Sequence, residues 1–465
     1  MPYDGQLADK AAHIDILKNP DVDDFLSNCN YLKPPSDEEI EQIAALFIEP
    51  PRDEEIHLPD YIIAIDGSNY EASIDEKLPS TKMGYIKIGA VLIPLKDFDN
   101  LRKGYFVDPF RVADLQKNST ALTFMAPSAN ISWNSKGSVR DSFRAYIDTQ
   151  LSNPRFRFDE KNYRTSLRTT LFHLASLRED GLGSTSNDTL FLHKCPTCDE
   201  RRVEVKDIEE DQFCPNCGEP VYPSDCLRIW EEVSEFQSNQ VALSRLMMVL
   251  EHILPIHYLR QLGKQPLFLS ELGLFIDGPL AIFGNAAWLH RSIMKYLHAL
   301  QSKVEKKANG ASFPLIGLVK TGAIIDHVNL IEKHLPNNCL FAISDEYRYQ
   351  YVHGGRQAAK QGFGFETYYG QDFIYKTPTG RTFVFLLPYH WPGKKLGGKD
   401  FIKEKLKLEN YPELSKAIQL IDHFESDLHE NAVVPIALAH RYTAISLQPG
   451  GKVLDLLAHQ ALNNN

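Results

Sequence analysis

Two stretches of this chain share one grammar. Tyr61-Ile62-Ile63-Ala64-Ile65 runs straight into Asp66-Gly67-Ser68, and Leu272-Gly273-Leu274-Phe275-Ile276 runs into Asp277-Gly278-Pro279. A short apolar run closed by a turn signal reads as a buried strand. Its last residue then lies at the rim of a sheet, where a carboxylate can face solvent or a ligand. A single Asp-Gly after a strand is most simply a turn. Two copies on neighbouring strands would instead set two carboxylates side by side, as a divalent-metal site requires.

Further strands and helices alternate with these two. Tyr85–Leu95, Leu315–Val319 and Cys339–Ile343 read as strands, and residues 372–388 as a hairpin around Thr377-Pro378-Thr379-Gly380. Apolar positions at helical spacing mark helices over about 239–260 and 286–301, and a closing helix runs through Ile436–Arg441. Pro35-Ser36-Asp37-Glu38-Glu39 is a helix start, followed by the stripe Ile40, Ile43, Leu46 and Phe47. The class is therefore α/β with a mixed sheet, since the spacing of the first two strands permits a hairpin. A chain of 465 residues, 43% hydrophobic and 24% charged, has room for two or three domains or one elaborated domain. No apolar run is long enough for a membrane span, and Met1-Pro2-Tyr3-Asp4 lacks the basic start of a signal peptide, so a cytoplasmic location is expected.

Net charge is -11, which excludes a generic basic nucleic-acid coat protein but not a nuclease whose metals offset carboxylates. Two basic segments stand out. Arg140, Arg144, Arg155, Arg157, Arg164 and Arg168 alternate with Phe156, Phe158 and Tyr163 in a stretch, 139–177, that reads as helical. Lys394, Lys395, Lys399, Lys403, Lys405 and Lys407 form the second. Both fit either a nucleic-acid backbone or a solvated face of snorkelling side chains.

Four of the seven cysteines form two knuckles, Cys195-Pro196-Thr197-Cys198 and Cys214-Pro215-Asn216-Cys217, about 15 residues apart. This spacing suits a tetrahedral structural zinc, one per chain, in which four thiolates leave no position open for catalysis. His193 and Cys226 are substitute ligands, and a redox pair is the alternative. Cys29, Cys226 and Cys339 otherwise read as small buried apolar residues.

Phosphodiester cleavage needs an activated water and neutralised phosphate charge, which divalent ions held by carboxylates supply. Asp66 and Asp277 are the first candidates. A third carboxylate commonly comes from a helix on the sheet, and Glu251 lies at the edge of the apolar stripe of the 239–260 helix; Glu235 and Glu232 are rivals. Lys320 follows a strand as the aspartates do, and so can meet a phosphate. His440 can join a metal shell, handle a proton, or be a satisfied structural residue. Asp326 and Asp345 are secondary acids. No Gly-x-x-x-x-Gly-Lys-Ser/Thr motif is present, which argues against motor activity in this chain.

Ala64-Ile65-Asp66-Gly67-Ser68, Leu274-Phe275-Ile276-Asp277-Gly278-Pro279-Leu280, Val319-Lys320-Thr321 and Pro435-Ile436-Ala437-Leu438-Ala439-His440 occur in that order. The ordered set resembles the NurA nuclease family over about residues 60 to 450. The resemblance implies an RNase H-like core, manganese- or magnesium-dependent DNA cleavage and a homodimer. It also implies a HerA-type hexameric DNA-translocating ATPase as partner, in end resection or phage defence. By position, Asp66, Asp277 and His440 match the family's metal and catalytic residues, Lys320 follows them, and Glu251 takes the helix-glutamate role. The cysteine segment between the two aspartates departs from compact family members. The expected division is a docking segment at 1–58, the first part of the core with a helical insertion at 59–189, the zinc ribbon at 190–226 and the rest of the core at 227–465. A non-catalytic docking subunit of the same fold, or a two-metal phosphohydrolase acting on RNA or nucleotides, are the alternatives.

Overall fold

The computed structural model describes residues 19–29, 32–53, 55–75, 77–103, 106–107, 119–308, 310–353, 361–394, 398–426 and 432–445. The readings made for Met1–Asp4 and Lys395, and most of the segment ahead of residue 35, lie outside these residues.

The helix α1 (Asp37–Ala44) starts at a full capping box, Ser36 accepting from the Glu39 amide and the Glu39 carboxylate returning to Ser36. Ile40, Ile43 and Phe47 are buried, whereas Leu46 is exposed. Two long strands follow, β1 (Tyr61–Asp75) and β2 (Leu78–Pro94), which pair antiparallel from Tyr61↔Pro94 to Asp75↔Leu78. The expected stop of β1 at Asp66-Gly67 is therefore corrected, because antiparallel pairing with β2 carries the strand nine residues further. The edge strand β3 (Ser119–Pro127) completes the meander.

Residues 139–177 divide into two helices, α2 (Val139–Ser152) and α3 (Leu167–Ser176). Asn153-Pro154 breaks the run, since proline cannot donate to the helix ladder. The cysteine segment then forms two small hairpins, β4 (Thr189–Lys194) with β5 (Arg201–Lys206), and β6 (Gln212–Phe213) with β7 (Pro220–Val221). After them come α4 (Gln240–Leu262), β8 (Leu272–Asp277), α5 (Leu289–Lys307), β9 (Leu315–Val319) and α6 (Ala323–Ile331). The chain closes with β10 (Cys339–Ala342), the hairpin β11 (Gly370–Lys376) and β12 (Thr382–Pro388), α7 (Leu414–Phe424) and α8 (Val434–Thr443).

Eight strands make one mixed sheet in the order β10-β11-β12-β9-β8-β1-β2-β3. The segment β3-β2-β1-β8-β9 is an antiparallel meander followed by two parallel neighbours, the RNase H-like arrangement. β8 and β9 are apolar and buried along nearly their whole length, as parallel strands covered on both faces must be. α4 covers one face and α8 the other: Gly67 faces Met247 and Glu251 of α4, and Gly89 faces Tyr442 and Thr443 of α8.

Two of the six arginines in the run, Arg144 and Arg168, serve this packing. Arg144 donates twice to Asp225 at 2.8 Å, and Arg168 donates to Asp207 at 3.2 Å. Both guanidiniums are buried and tie α2 and α3 to the cysteine segment and its flank. In the lysine run, Lys394 is spent on the carbonyls of Gly364, Phe365 and Tyr368, and Lys405 pairs with Asp345. Neither buried lysine is available to a nucleic-acid backbone.

Candidate metal centres

The parallel pairing of β1 with β8 ends at Ile65↔Ile276. Asp66 and Asp277 are the next residues on each strand, so the pleat turns both side chains to the same face, one strand spacing apart. Lys320 follows β9 at the same level, and its Nζ lies 2.6 Å from Asp277 Oδ2. From α8, His440 Nδ1 lies 2.9 Å from Asp66 Oδ2. Ligand atoms of Asp66, Asp277 and His440 all fall within 4.8 Å of one another.

Two glycines make this convergence possible. Gly89 stands opposite Asp66 on β2, and a Cβ there would come 2.6 Å from Thr443 Cγ2, so only glycine lets α8 approach this closely. Gly67 plays the corresponding part on the other face, where a Cβ would lie 2.6 Å from Glu251 Oε1.

Glu251 therefore sits against the β1 backbone beside Asp66 but outside the tight group of three. Its rivals are accounted for elsewhere. Glu235 accepts from the Val139 and Arg140 amides at 2.7 and 3.2 Å, capping α2, and Glu232 meets Arg245 at 3.4 Å. Asp345 is committed to Lys405, and Asp326 lies in the first turn of α6.

Sequence reasoning missed Thr443. Its buried Oγ1 donates to Asp66 Oδ2 at 3.1 Å. Its spacing of three from His440 puts it on the same helix face, a relation that points to Asp66 only once that face is set against the sheet.

The electrostatics fit a cluster built to take up positive charge. Burial and the neighbouring Asp66 charge push the Asp277 carboxyl up to about 7. Burial also works to raise Asp66, but the His440 hydrogen bond, the proton shared from Asp277 and the Lys320 charge bring it below its ordinary value. Without a metal the pair thus keeps one proton between them, because two charges this close resist joint ionisation. Glu251 is raised well above the carboxylate range by burial, then by the charges of Asp66 and Asp277. His440 is raised, chiefly by its hydrogen bond to Asp66. Hard oxygen donors in a buried, proton-retaining group suit a divalent cation such as manganese or magnesium.

The second centre is the cysteine cluster. Cys195 Sγ lies 3.8 Å from Cys217 Sγ, and Cys198 Sγ lies 3.7 Å from Cys214 Sγ. Tetrahedral zinc with Zn–S bonds of about 2.3 Å requires sulfur–sulfur edges of about 3.8 Å. The knuckles repeat each other: the Asp199 amide returns to Cys195 O, and the Gly218 amide returns to Cys214 O. Asp199 and Gly218 both take positive φ, at 57° and 71°, which turns each loop back on the sulfurs. His193 and Cys226 lie outside the group of four.

An RNase H-like sheet with paired carboxylates at its parallel seam, interrupted by a four-cysteine module, defines a class of α/β proteins with two candidate metal centres. The NurA domain family model matches residues 60–445, and the chain belongs to the NurA family. No curated protein matches it. Family membership is consistent with a nuclease role. Among the described residues, no helix is long and apolar enough to cross a membrane.

Proposed function

We propose that the protein is a divalent-metal-dependent DNA nuclease that hydrolyses phosphodiester bonds. The observation that carries this reading is the side-by-side placement of Asp66 and Asp277 on parallel neighbours, joined by His440 within 4.8 Å, in a NurA chain. Asp66 and Asp277 would hold manganese or magnesium, and Glu251 would complete the carboxylate set. Such an ion activates water and neutralises phosphate charge.

The remaining roles belong to side chains. Lys320, paired with Asp277 at 2.6 Å, would pass its charge to a scissile phosphate. His440 uses Nδ1 on Asp66 and keeps a side chain 54% exposed, which leaves its other nitrogen free to hold or release a proton at the reacting oxygen. Thr443 fixes the Asp66 carboxylate. Cys195, Cys198, Cys214 and Cys217 would bind one structural zinc. A HerA-type ATPase that delivers DNA to a cytoplasmic NurA homodimer, in end processing or defence against phage, completes the proposal. The acidic net charge of -11 suits DNA brought by a motor rather than attracted by the protein's own field.

The test is cleavage of linear DNA with manganese by the purified protein and its Asp66→Ala variant, with and without the motor. Asp66→Ala should lower the rate by more than about a hundredfold, the upper range for residues that merely support a metal ligand. Equal cleavage by variant and parent would sink the assignment. Metal binding without turnover, even beside the motor, would favour a non-catalytic docking subunit.

A further inference from the structure

A cavity lies in the helical layer, between the end of α3, the end of α4 and one face of α5. It has a volume of about 380 Å³, within the size range of small-molecule sites. Its place is separate from the acidic cluster. Arg260, on its wall, is nine residues beyond Glu251 on α4, about 13 Å along the helix axis at 1.5 Å per residue.

The wall is cationic although the chain as a whole is acidic. Arg260, Lys264, Lys295 and Lys303 line the cavity, and among the described residues no acidic side chain does. Two of these charges have structural work. Lys295 donates to Leu177 O at 3.0 Å and pairs with Glu179 at 2.9 Å; Lys303 donates to Gly263 O at 2.7 Å. Each thereby caps the C-terminus of a neighbouring helix, α3 and α4.

Arg260 and Lys264 have no such account. Among the described residues neither has a carboxylate oxygen within 4.0 Å. Arg260 is half-buried, and its polar contacts are long ones, to Arg164 O at 3.4 Å and Thr170 Oγ1 at 3.5 Å. Burial works against its charge, answered in part by the Tyr296 phenol and, at longer range, the Asp207 carboxylate; a guanidinium this buried is normally met by an anion in contact. The rest of the lining is Leu177, Gly263, Ala299 and Leu300 with the rings of Tyr296 and His173, which meet edge to face. On α5 the spacing of Lys295, Ala299 and Lys303 at four residues puts all three on one ridge, and the small Ala299 leaves room between the two ammonium groups.

We propose that this cavity binds a phosphomonoester carrying an apolar planar body, of the nucleoside monophosphate class. Arg260 and Lys264 meet the phosphate dianion, with Lys295 and Lys303 as supporting charges. The base lies against Tyr296 and Leu300. A guanidinium presents the planar fork that phosphate oxygens accept, and a lysine adds a point charge.

The test is isothermal titration calorimetry on the full chain in buffer without divalent cations, so that the acidic cluster takes no phosphate. Deoxyadenosine monophosphate and inorganic phosphate are each titrated into the parent, Lys264→Gln and Arg260→Gln/Lys264→Gln. The inference expects the nucleotide to bind more tightly than phosphate. It expects binding weakened on the order of tenfold in the single variant and lost in the double variant. Lys264 is exposed, so its variant tests the charge without disturbing the core. No binding to the parent, affinity unchanged in the double variant, phosphate held as tightly as nucleotide, or displacement of the nucleotide by an equal concentration of unphosphorylated DNA strand each overturn it. Manganese-dependent cleavage by Lys264→Gln, expected at the parental rate, reads the acidic site independently of this result.

Discussion

At the scale of residues, the site is a contest between burial and charge. Asp66, Asp277 and Glu251 are three carboxyls in one neighbourhood, answered by Lys320 and by His440 when it is protonated. Asp277 and Glu251 are raised while Asp66 is lowered, so the first two hold protons which a metal must displace. Asp277, near 7, sets the relevant window. Below about pH 7 Asp277 is protonated and an ion competes with that proton; above it this proton no longer competes. Manganese affinity should therefore climb as pH rises from 6 to 8, by up to about tenfold per pH unit below 7 for one displaced proton. Calorimetry at several pH values checks this, and a flat profile would contradict the shared proton. Asp66 and Asp277 were legible in the sequence because each terminates an apolar run. Thr443 was not, because a threonine carries no signal until the helix face it shares with His440 is set against Asp66.

At the scale of elements, each functional side chain is aimed by packing. β1 and β8 place Asp66 and Asp277 by register alone, α8 brings His440 and Thr443 through the opening at Gly89, and α4 brings Glu251 to Gly67. The buried strands and helices of the core were readable from apolar periodicity, the β9 bounds most closely. The continuation of β1 past Asp66 was not, since antiparallel pairing with β2 is non-local and overrides a local Asp-Gly turn signal. The choice among glutamates likewise needed the fold. Glu235 caps α2, so Glu235→Ala should cost about 0.5–2 kcal/mol of stability and leave DNA cleavage intact. Glu251→Gln, which replaces a buried proton-holding carboxyl by a neutral isostere, should leave stability nearly unchanged while lowering cleavage. Chemical denaturation and cleavage rates measured on both variants distinguish them, and a reversal of the two profiles would return Glu235 to the site.

At the scale of the whole molecule, the two candidate metal centres would divide the work between chemistry and architecture. The cysteine module is bound to the core through buried ion pairs, Arg144 with Asp225 and Arg168 with Asp207. Its loss should therefore be felt beyond the ribbon. Elemental analysis should find one zinc per chain. Removing it with a strong chelator, followed by repletion with manganese alone, should lower thermal stability and loosen the α2–α3 layer in hydrogen exchange. A fully folded, metal-free protein would contradict the zinc assignment. The four cysteines were legible because knuckle spacing is set by metal geometry rather than by the fold. The arginine run misled for the opposite reason: its partners, Asp207 and Asp225, lie in a different segment, and only the tertiary structure shows the charges to be spent.

The central claim is that Asp66 and Asp277 share a divalent ion. A crystal soaked with manganese and measured at its absorption edge tests this most directly. The account predicts an anomalous peak between the two carboxylates, within coordination distance of both and beside His440, that disappears in Asp66→Ala. A peak bound elsewhere, or none at this seam under conditions that support DNA cleavage, would contradict it.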